Sequence, residues 1–451
     1  MGIQIGVQRI KWPWYSAAAL VLLATLSWPL PNENAVVNPT LGLASSLMFR
    51  MHQAHFAHSA KTPSLSASWI YPGGAVMNPV VVQGIVYGGT VTNPYMVIAV
   101  NAVNGKVLWT TPVNNQVMTK PLVIGGQVFI GTGNSTFPSR PVPHHSAIRG
   151  TKASSVIALS ATTGQILWQD NTVGENMPTP VYWHSQLYAV GGSDSLLELN
   201  ANNGRIIRKM PIASYVSMAS PAISGHTLYF GGAYPYDFYA VNLKTWTIAW
   251  KTPFQGVSGA LDDCPPLVVG SNIYTETVKS TSSGNVFNAV DLNKNTGKII
   301  WQKPLGTGPL PYAASGRASN EAGIPTYHKG VLYFGSPITK SLYALKADTG
   351  QVIWKDHLNH QQITQAPLFY HGQLLVGDGQ GTLWDVNAKT GQVLSHRSQG
   401  GSFMPSELQL LGHSVIFGTR APSLNAIPLR DLNPSSQHAR NLPALLPNKS
   451  I

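Results

Sequence analysis

The chain has 451 residues, and 43% of them are hydrophobic, which is enough to bury one large core or several smaller ones. Only 10% are charged, and 29 Lys and Arg outnumber 17 Asp and Glu, giving a formal charge of +12 at pH 7. The basic residues are scattered without a run, which argues against a nucleic-acid partner, and the single cysteine, Cys264, excludes an intrachain disulfide.

The small number of acidic residues bears on the medium in which the protein works. Acid unfolds proteins by protonating carboxylates that are ionised in the native state. A chain with 17 Asp and Glu has few such groups to lose. We therefore interpret the composition as an adaptation to an acidic medium.

Residues 1–35 have the pattern of an export signal. Arg9 and Lys11 precede an apolar run centred on SAAALVLLATL. This run is shorter than the roughly 20 residues of a membrane-spanning helix, so it predicts a secretory signal and a periplasmic or secreted protein. No cysteine lies near it, which predicts that the chain carries no lipid anchor.

Residues 36–65 are predicted to be a linker. Within it, His52, His55 and His58 recur at every third position. On a helix they would share a face, but no carboxylate or cysteine joins them as a further ligand. We therefore interpret the stretch as a basic lead-in and predict no metal site, while its binding of any other group stays open.

A thirteen-residue frame recurs in the remaining chain, residues 66–432. The clearest copies are Val97–Trp109 (VIAVNAVNGKVLW), Val156–Trp168 and Leu342–Trp354. Each frame has two apolar runs around a polar turn closed by glycine, which predicts two strands. A hairpin pattern, usually opened by proline, precedes each frame and occurs eight times. Each repeat of roughly 40 residues therefore predicts one four-stranded blade of a propeller.

The two ends of the repeat region complete each other. LNAIPL, Leu424–Leu429, follows the eighth hairpin as a third strand, and SASWIY precedes the first hairpin as a fourth. We predict an all-β, eight-bladed β-propeller with four-stranded antiparallel blades, closed by the N-terminal strand, which completes the last blade. Residues 433–451 are predicted to be a loose tail.

Tryptophan occupies the same frame position in six units, where a flat indole can fill the space between blades. These residues are Trp69, Trp109, Trp168, Trp250, Trp301 and Trp354. The Ala-Val/Leu…Gly…Trp frame resembles the tryptophan-docking repeat of the pyrroloquinoline-quinone-type eight-bladed propellers, and it matches Kelch and WD repeats less well. The resemblance implies three branches: quinone-dependent dehydrogenases, the outer-membrane barrel-assembly lipoprotein, and tetrathionate hydrolases of acid-dwelling sulfur oxidisers.

Two loops depart from the repeat pattern. Four residues before the proline that opens each hairpin, most repeats carry a neutral residue, but the fifth carries Asp262, followed by Asp263, and the sixth carries Glu321. These are the predicted catalytic residues, because a carboxyl group in apolar surroundings can act as acid or base. Turn capping is the alternative role. Neighbours in an extended segment face opposite ways, so only one of Asp262 and Asp263 is expected to face the channel.

Basic side chains on the same face are predicted to bind an anionic substrate, with tyrosine hydroxyls as further donors. The predicted substrate-binding set is Arg317, His357, His360, His144, His145, Arg149 and Tyr312, with Tyr234 and Tyr236 as additional donors. Taken singly, each fits a solvated loop residue; together they surround the acids with positive charge. Cys264 is expected to pack as a small apolar residue.

Among the three branches, the sequence most resembles the tetrathionate hydrolases. It predicts an exported hydrolase of a small sulfur oxyanion that works at acidic pH with an aspartic acid–base and no cofactor. The first alternative is a non-catalytic propeller that binds a partner protein. The second is a quinone-dependent dehydrogenase, which the absence of an adjacent cysteine pair from the sequence disfavours. Homo-oligomerisation and peripheral association with an outer membrane stay open.

Overall fold

The computed structural model describes residues 65–118, 120–137, 147–151, 153–310, 323–358, 361–420 and 424–432. The predicted export signal, the linker before Leu65 with its three histidines, and the predicted tail lie outside these residues and stay predictions. Within the described ranges the secondary structure is β-strand, apart from a 3-10 helix at Leu429–Leu432, and no helix is long and apolar enough to cross a membrane.

The described strands form eight four-stranded antiparallel sheets, which are the blades of a β-propeller, as the repeats predict. Blade 1 contains β2 (Val80–Val82), β3 (Ile85–Gly89), β4 (Met96–Asn101) and β5 (Val107–Pro112). Blade 2 contains β6 (Leu122–Ile124), β7 (Gln127–Thr132), β8 (Ser154–Ser160) and β9 (Ile166–Thr172). Blade 3 contains β10 (Val181–Trp183), β11 (Gln186–Ala189), β12 (Ser195–Asn200) and β13 (Ile206–Pro211). Blade 4 contains β14 (Ala222–Ser224), β15 (Thr227–Gly231), β16 (Asp237–Asn242) and β17 (Thr247–Pro253).

The second half of the ring repeats this order of strands. Blade 5 contains β18 (Leu267–Val269), β19 (Asn272–Thr281), β20 (Gly284–Asn293) and β21 (Ile299–Gly308). Blade 6 contains β22 (Thr326–His328), β23 (Val331–Ser336), β24 (Ser341–Lys346) and β25 (Val352–Asp356). Blade 7 contains β26 (Leu368–Tyr370), β27 (Gln373–Gly377), β28 (Thr382–Asn387) and β29 (Val393–Ser398). Blade 8 contains β30 (Gln409–Leu411), β31 (Ser414–Gly418), β32 (Leu424–Pro428) and β1 (Trp69–Tyr71).

The N-terminal strand closes the ring as predicted. β1 pairs antiparallel with β32, with Trp69 opposite Ala426 and Tyr71 opposite Leu424. Leu65, just before β1, is buried, and its amide donates to Ser414 Oγ at 3.1 Å. The last blade is therefore assembled from both ends of the repeat region, which leaves no unpaired sheet edge between them.

The frame's polar turn follows from its asparagine and glycine. In blade 1, Asn101 Oδ1 accepts from the amides of Val103 and Asn104 at 2.9 and 3.2 Å. Gly105 takes φ of 69° and donates to Asn101 O at 2.9 Å. Asparagine and glycine are the residues that accept such a turn at low cost. The register then shifts between Ala99 and Val100, and blades 2 to 7 show the same shift at the equivalent position. Each of these seven frames therefore starts its outer strand with a bulge.

Each of the six tryptophans packs its own blade against the next one, which accounts for six of the eight seams. Trp109 Nε1 donates to Ala161 O at 3.0 Å, and a Cβ added to Gly164 would lie 2.5 Å from the same indole. The other five repeat this contact: Trp69 with Ala102 and Gly105, Trp168 with Ala201 and Gly204, Trp250 with Lys294 and Gly297, Trp301 with Ala347 and Gly350, and Trp354 with Ala388 and Gly391. The frame needs glycine at this position because the indole of the preceding blade occupies the space that a Cβ would take.

Two seams between blades use other contacts. Between blades 3 and 4, Arg208 stands at the tryptophan position and Trp246 at the glycine position, and the guanidinium lies 4.4 Å from the ring centre. In this cation–π contact the indole comes from the glycine position, and the group that packs on it comes from the tryptophan position. Between blades 7 and 8, Ser395 replaces the tryptophan and leaves a cavity of about 240 Å³, lined in part by Asp385 and Leu432.

The hydrophobic core lies between successive blades. Ala99 and Trp109 of blade 1, for example, pack with Ile157 of blade 2. Near the ends of the innermost strands, Lys120 and Glu407 form a buried ion pair of 2.7 Å between blades 2 and 8. Blade-to-blade loops and the loops between the second and third strands emerge on the same side of such a ring, and their contacts build the site described next.

Candidate active site

The candidate site begins at a turn between β17 and β18. The amides of Asp263 and Cys264 both donate to Ala260 O, at 3.0 and 2.8 Å, and Ala260 has a φ of 74°. The prediction that only one of Asp262 and Asp263 faces the site assumed an extended backbone, and that assumption is wrong. In the turn, Asp262 is buried and Asp263 is partly buried, and the charge of Arg149 acts on both carboxyl groups.

The loop that enters blade 4 fixes this turn. Asp262 O accepts hydrogen bonds from three successive amides, Ser217, Met218 and Ala219, at 3.2, 2.9 and 2.8 Å. The Asp262 residue is 5% exposed. Its position is therefore set by the backbone of a neighbouring loop, and its carboxyl group is not needed to satisfy those amides.

Arg149 and Glu175 form the second part of the site. Arg149 comes from the loop between β7 and β8, and Glu175 from the loop between β9 and β10. Arg149 Nη1 donates to Glu175 Oε1, and the Arg149 and Glu175 side chains are 15% and 0% exposed. The charge of the Arg149 guanidinium also acts on Asp262 and Asp263, so one cation interacts with three carboxyl groups.

Three tyrosines form a wall beside the aspartates. Tyr215 and Tyr234 stack with ring centres 5.8 Å apart, and Tyr234 and Tyr236 are 5.7 Å apart. Burial, followed by the negative charge of Asp262, raises the pKa of Tyr215 and of Tyr236. Both hydroxyls therefore stay protonated and can only donate to an anion or accept a hydrogen bond.

The aspartate carboxyl groups differ in their surroundings. Burial, and then the charge of Asp263, raises the pKa of Asp262 well above its ordinary value, and Arg149 opposes this shift. Burial also raises the pKa of Asp263, but Arg149 and a hydrogen bond from Ser217 lower it. Two carboxyl groups whose environments push their proton affinities apart can act as a pair of acid and base.

The structure brings together some of the predicted site residues. Asp262, Asp263, Arg149, Tyr234 and Tyr236 share one site. His357 lies in the loop after blade 6, where Nδ1 is 3.0 Å from Ser341 Oγ. The remaining predicted residues lie outside the described residues and stay predictions: Glu321, Arg317, His360, His144, His145 and Tyr312.

Sequence reasoning missed three residues of the site, namely Glu175, Tyr215 and Ser217. The sequence did carry a signal for Glu175. It directly precedes Asn176, which is the position four residues before the proline in the third loop, and acidic residues are rare in this chain. Ser217 occupies that position in the fourth loop and appeared neutral. Tyr215 carried no signal, since its role depends on stacking with a different loop.

The donor groups do not fit a quinone cofactor with calcium. In the described residues, no cluster of three or more His, Cys, Asp or Glu side chains could hold a metal ion. Cys264 is fully buried and packs in the core beside Leu267, as expected for a small apolar residue. Its sequence neighbours are Asp263 and Pro265, so it cannot form an adjacent cysteine pair.

Comparisons with known proteins agree with the propeller fold. The chain is 28% identical to the tetrathionate hydrolase of Acidithiobacillus ferrooxidans over 91% of this chain and 82% of that protein. It is 27% identical to the tetrathionate hydrolase of Acidianus ambivalens over 90% of this chain and 85% of that protein.

Among solved structures, BamB from Moraxella catarrhalis superposes with a TM-score of 0.58 and 17% identity, covering 80% of this chain and 98% of that one, which supports the fold alone. The family model described as outer membrane protein assembly factor BamB matches residues 57–288 and 282–427. These matches span most of the sequence, and the chain therefore belongs to this PQQ-type repeat family of propellers.

Proposed function

We propose that the protein is an exported hydrolase that cleaves tetrathionate in an acidic medium outside the cytoplasm. The observation that carries the proposal is the adjacent pair of Asp262, which is buried, and Asp263, on both of which the charge of Arg149 acts. The similarity to tetrathionate hydrolases over about nine-tenths of the chain supports the same substrate. Export rests on the pattern of residues 1–35, and peripheral attachment to an outer membrane stays open.

The pair is suited to acid–base work because its carboxyl groups interact closely. Between the two apparent pKa values of such a pair, one group is protonated and the other ionised. Asp262, with its pKa raised well above the ordinary value, is the proton donor. Asp263, which Ser217 and Arg149 favour in the ionised form, is the acceptor.

The reaction balances without an oxidant or a reductant. Asp263 takes a proton from a water molecule while the oxygen of that water forms a bond to a sulfonate sulfur. The bond between that sulfur and the disulfane sulfur breaks, and Asp262 protonates the leaving disulfane sulfur. Tetrathionate and water give hydrogen sulfate and a disulfane monosulfonate anion, so atoms and charge are conserved. The proton then passes from Asp263 to Asp262, which restores the pair.

Anion binding uses the groups around the pair. Arg149 has guanidinium nitrogens beyond the one that contacts Glu175, and these can donate to a sulfonate oxygen. The neutral hydroxyls of Tyr215 and Tyr236 are further donors. Arg317 and the loop histidines, which the sequence predicts on this face, remain in the proposal as ligands of the second sulfonate.

The test is tetrathionate consumption by the purified protein from about pH 2 to 7. Asp262→Asn should lower kcat by about 10²-fold or more, the usual contribution of a general acid, and Asp263→Asn should lower it similarly. Asp385→Asn is the matched control. It changes another aspartate whose pKa burial raises, to about 6, at the seam of blades 7 and 8, and it should keep wild-type turnover. No turnover by the wild-type protein over this pH range would refute the proposal.

The second candidate is a non-catalytic propeller that binds a partner protein, which the match to the BamB family model favours. A scaffold would not need two carboxyl groups buried against one arginine. The scaffold would be favoured if Asp262→Asn still binds a partner protein and the wild-type protein does not cleave tetrathionate.

A further inference from the structure

Glu175 and Arg149 lie in a niche that only glycine can line. A Cβ added to Gly133 would lie 2.3 Å from Glu175 Cβ, and one added to Gly191 would lie 2.2 Å from Glu175 O. A Cβ on Gly192 would lie 1.8 Å from Arg149 O. Side chains at these positions would displace the pair, so the surrounding backbone is built around it.

The backbone also fixes both partners. The Arg149 amide donates to Gly192 O at 2.8 Å, and the Glu175 amide donates to Arg149 O at 2.8 Å. Glu175 Oε1 accepts from Arg149, while Oε2 is buried without a hydrogen-bond partner among the described residues. A half-satisfied buried carboxyl group lowers stability, so a purely structural role explains this arrangement poorly.

We infer that Glu175 is a positioning residue of the acid–base site, which holds the Arg149 guanidinium against the aspartate pair and offsets its charge there. The inference deepens the proposed function and rests on it for the catalytic role of the aspartates. Glu175 touches neither aspartate in any contact described above; it acts through Arg149.

The charge balance around the aspartates gives the inference a measurable consequence. Among the described residues, the groups that interact with Asp262 or Asp263 are Arg149 from blade 2, Ser217 and Tyr215 from the loop entering blade 4, and Tyr236 from within blade 4, with Tyr234 stacked on Tyr215. Arg149 is the only cation in that set. Without the carboxylate of Glu175, the uncompensated guanidinium would favour the ionised aspartates more strongly.

Glu175→Gln is the direct test, because it keeps the shape and one hydrogen-bond acceptor. The carbonyl stretching band of protonated carboxyl groups is followed by infrared spectroscopy against pH, without substrate, and the band of the pair is identified by its loss in Asp262→Asn. The midpoint should fall by roughly one pH unit in Glu175→Gln. Both limbs of the tetrathionate pH–rate profile should move in the same direction.

Glu198→Gln is the matched control. Glu198 pairs with Arg208 at the seam of blades 3 and 4, away from this site, so the variant should leave the midpoint and the profile unchanged. Arg149→Gln provides a second route should Glu175→Gln fail to fold, since loss of the cation should raise the midpoint. When Glu175→Gln is added to Arg149→Gln, it should shift the infrared midpoint by less than half of the shift that it causes in the wild-type protein.

The outcomes separate the inference from the proposed function. An unchanged midpoint in folded Glu175→Gln, or an equal effect with and without Arg149, would overturn the inference even where tetrathionate is cleaved. A wild-type protein that does not cleave tetrathionate would overturn the proposed function, while the infrared midpoints would still decide whether Glu175 acts through Arg149.

Discussion

The hydroxyl of Ser217 is the contact that distinguishes Asp263 from Asp262. Its hydrogen bond lowers the pKa of Asp263 against the effect of burial. Ser217→Ala should therefore raise that pKa further, because a hydrogen bond to a charged group contributes about 1.5–3 kcal/mol. The acidic limb of the pH dependence of kcat/KM should move to higher pH, opposite to the shift expected for Glu175→Gln.

A neighbouring serine provides the control for this prediction. Ser220 Oγ accepts the amide of Thr179 at 2.8 Å and serves the packing of two loops. Ser220→Ala should lower thermal stability and leave the acidic limb in place. Equal profiles for Ser217→Ala and the wild-type protein would show that Ser217 does not select the ionised aspartate.

At the scale of single elements, the frame's turn combines two demands on one glycine. Gly164 has φ of 73°, and its absent Cβ leaves room for Trp109. Gly225 has a similar φ of 62° in a hairpin turn, but nothing lies within 4 Å of a Cβ added there. The two glycines therefore share the backbone requirement and differ in the contact with an indole.

Alanine substitution should separate these two demands in the free energy of unfolding. Gly225→Ala should cost about 1–2 kcal/mol, the strain of an L-residue in the left-handed region. Gly164→Ala should cost roughly 1–3 kcal/mol more, because the indole must shift in a packed seam. Denaturant titration of both variants measures the difference, and equal costs would contradict the docking role assigned to the tryptophans.

For the whole molecule, two aspartates in the seams, the buried Asp291 and the partly buried Asp385, link stability to pH. Burial raises the pKa of Asp291 to about 7 and that of Asp385 to about 6, against an ordinary value of 3.8. Each aspartate is the cross-strand partner of the tryptophan position in its frame: Asp291 pairs with Trp301, and Asp385 pairs with Ser395. The equivalent residue of blade 1 is Ala99. An acid whose folded pKa is raised contributes full stability below its unfolded pKa and loses it as pH rises through the folded pKa. The ring should therefore be most stable in acid.

Asp291→Asn tests this dependence, because Asn keeps the acceptor that Asn272 contacts at 2.6 Å and cannot ionise. The wild-type protein should lose stability between about pH 4 and 7, and the variant should lose less, with a difference of roughly 2–4 kcal/mol at neutral pH. Thermal unfolding across this pH range measures it. Asp348→Asn, at an exposed position, should keep the wild-type slope; parallel curves for all three proteins would rule out the effect.

The repeated frame is sufficient to specify the ring. Its periodic apolar runs and turn residues act over a few positions, and one frame repeated along the chain specifies strands, blade number and closure by β1. It also marked Asp262 and Asp263, because alignment of equivalent loops exposes a departure without knowledge of where side chains point. It could not show that the tryptophans require the glycines of the next frame, although both positions were visible in the repeat.

The groups around the aspartates come together only when the blades pack. The turn at Ala260 depends on amides from another blade's loop, and it brings to one side two carboxyl groups that an extended chain would separate. Arg149 and Glu175 meet beside glycines from two separate segments, Gly133 and Gly191–Gly192, and Tyr215 acts by stacking across loops. Local propensity fixes a blade, whereas the electrostatics of the site arise from residues distant in sequence, whose contacts exist only once the blades are packed.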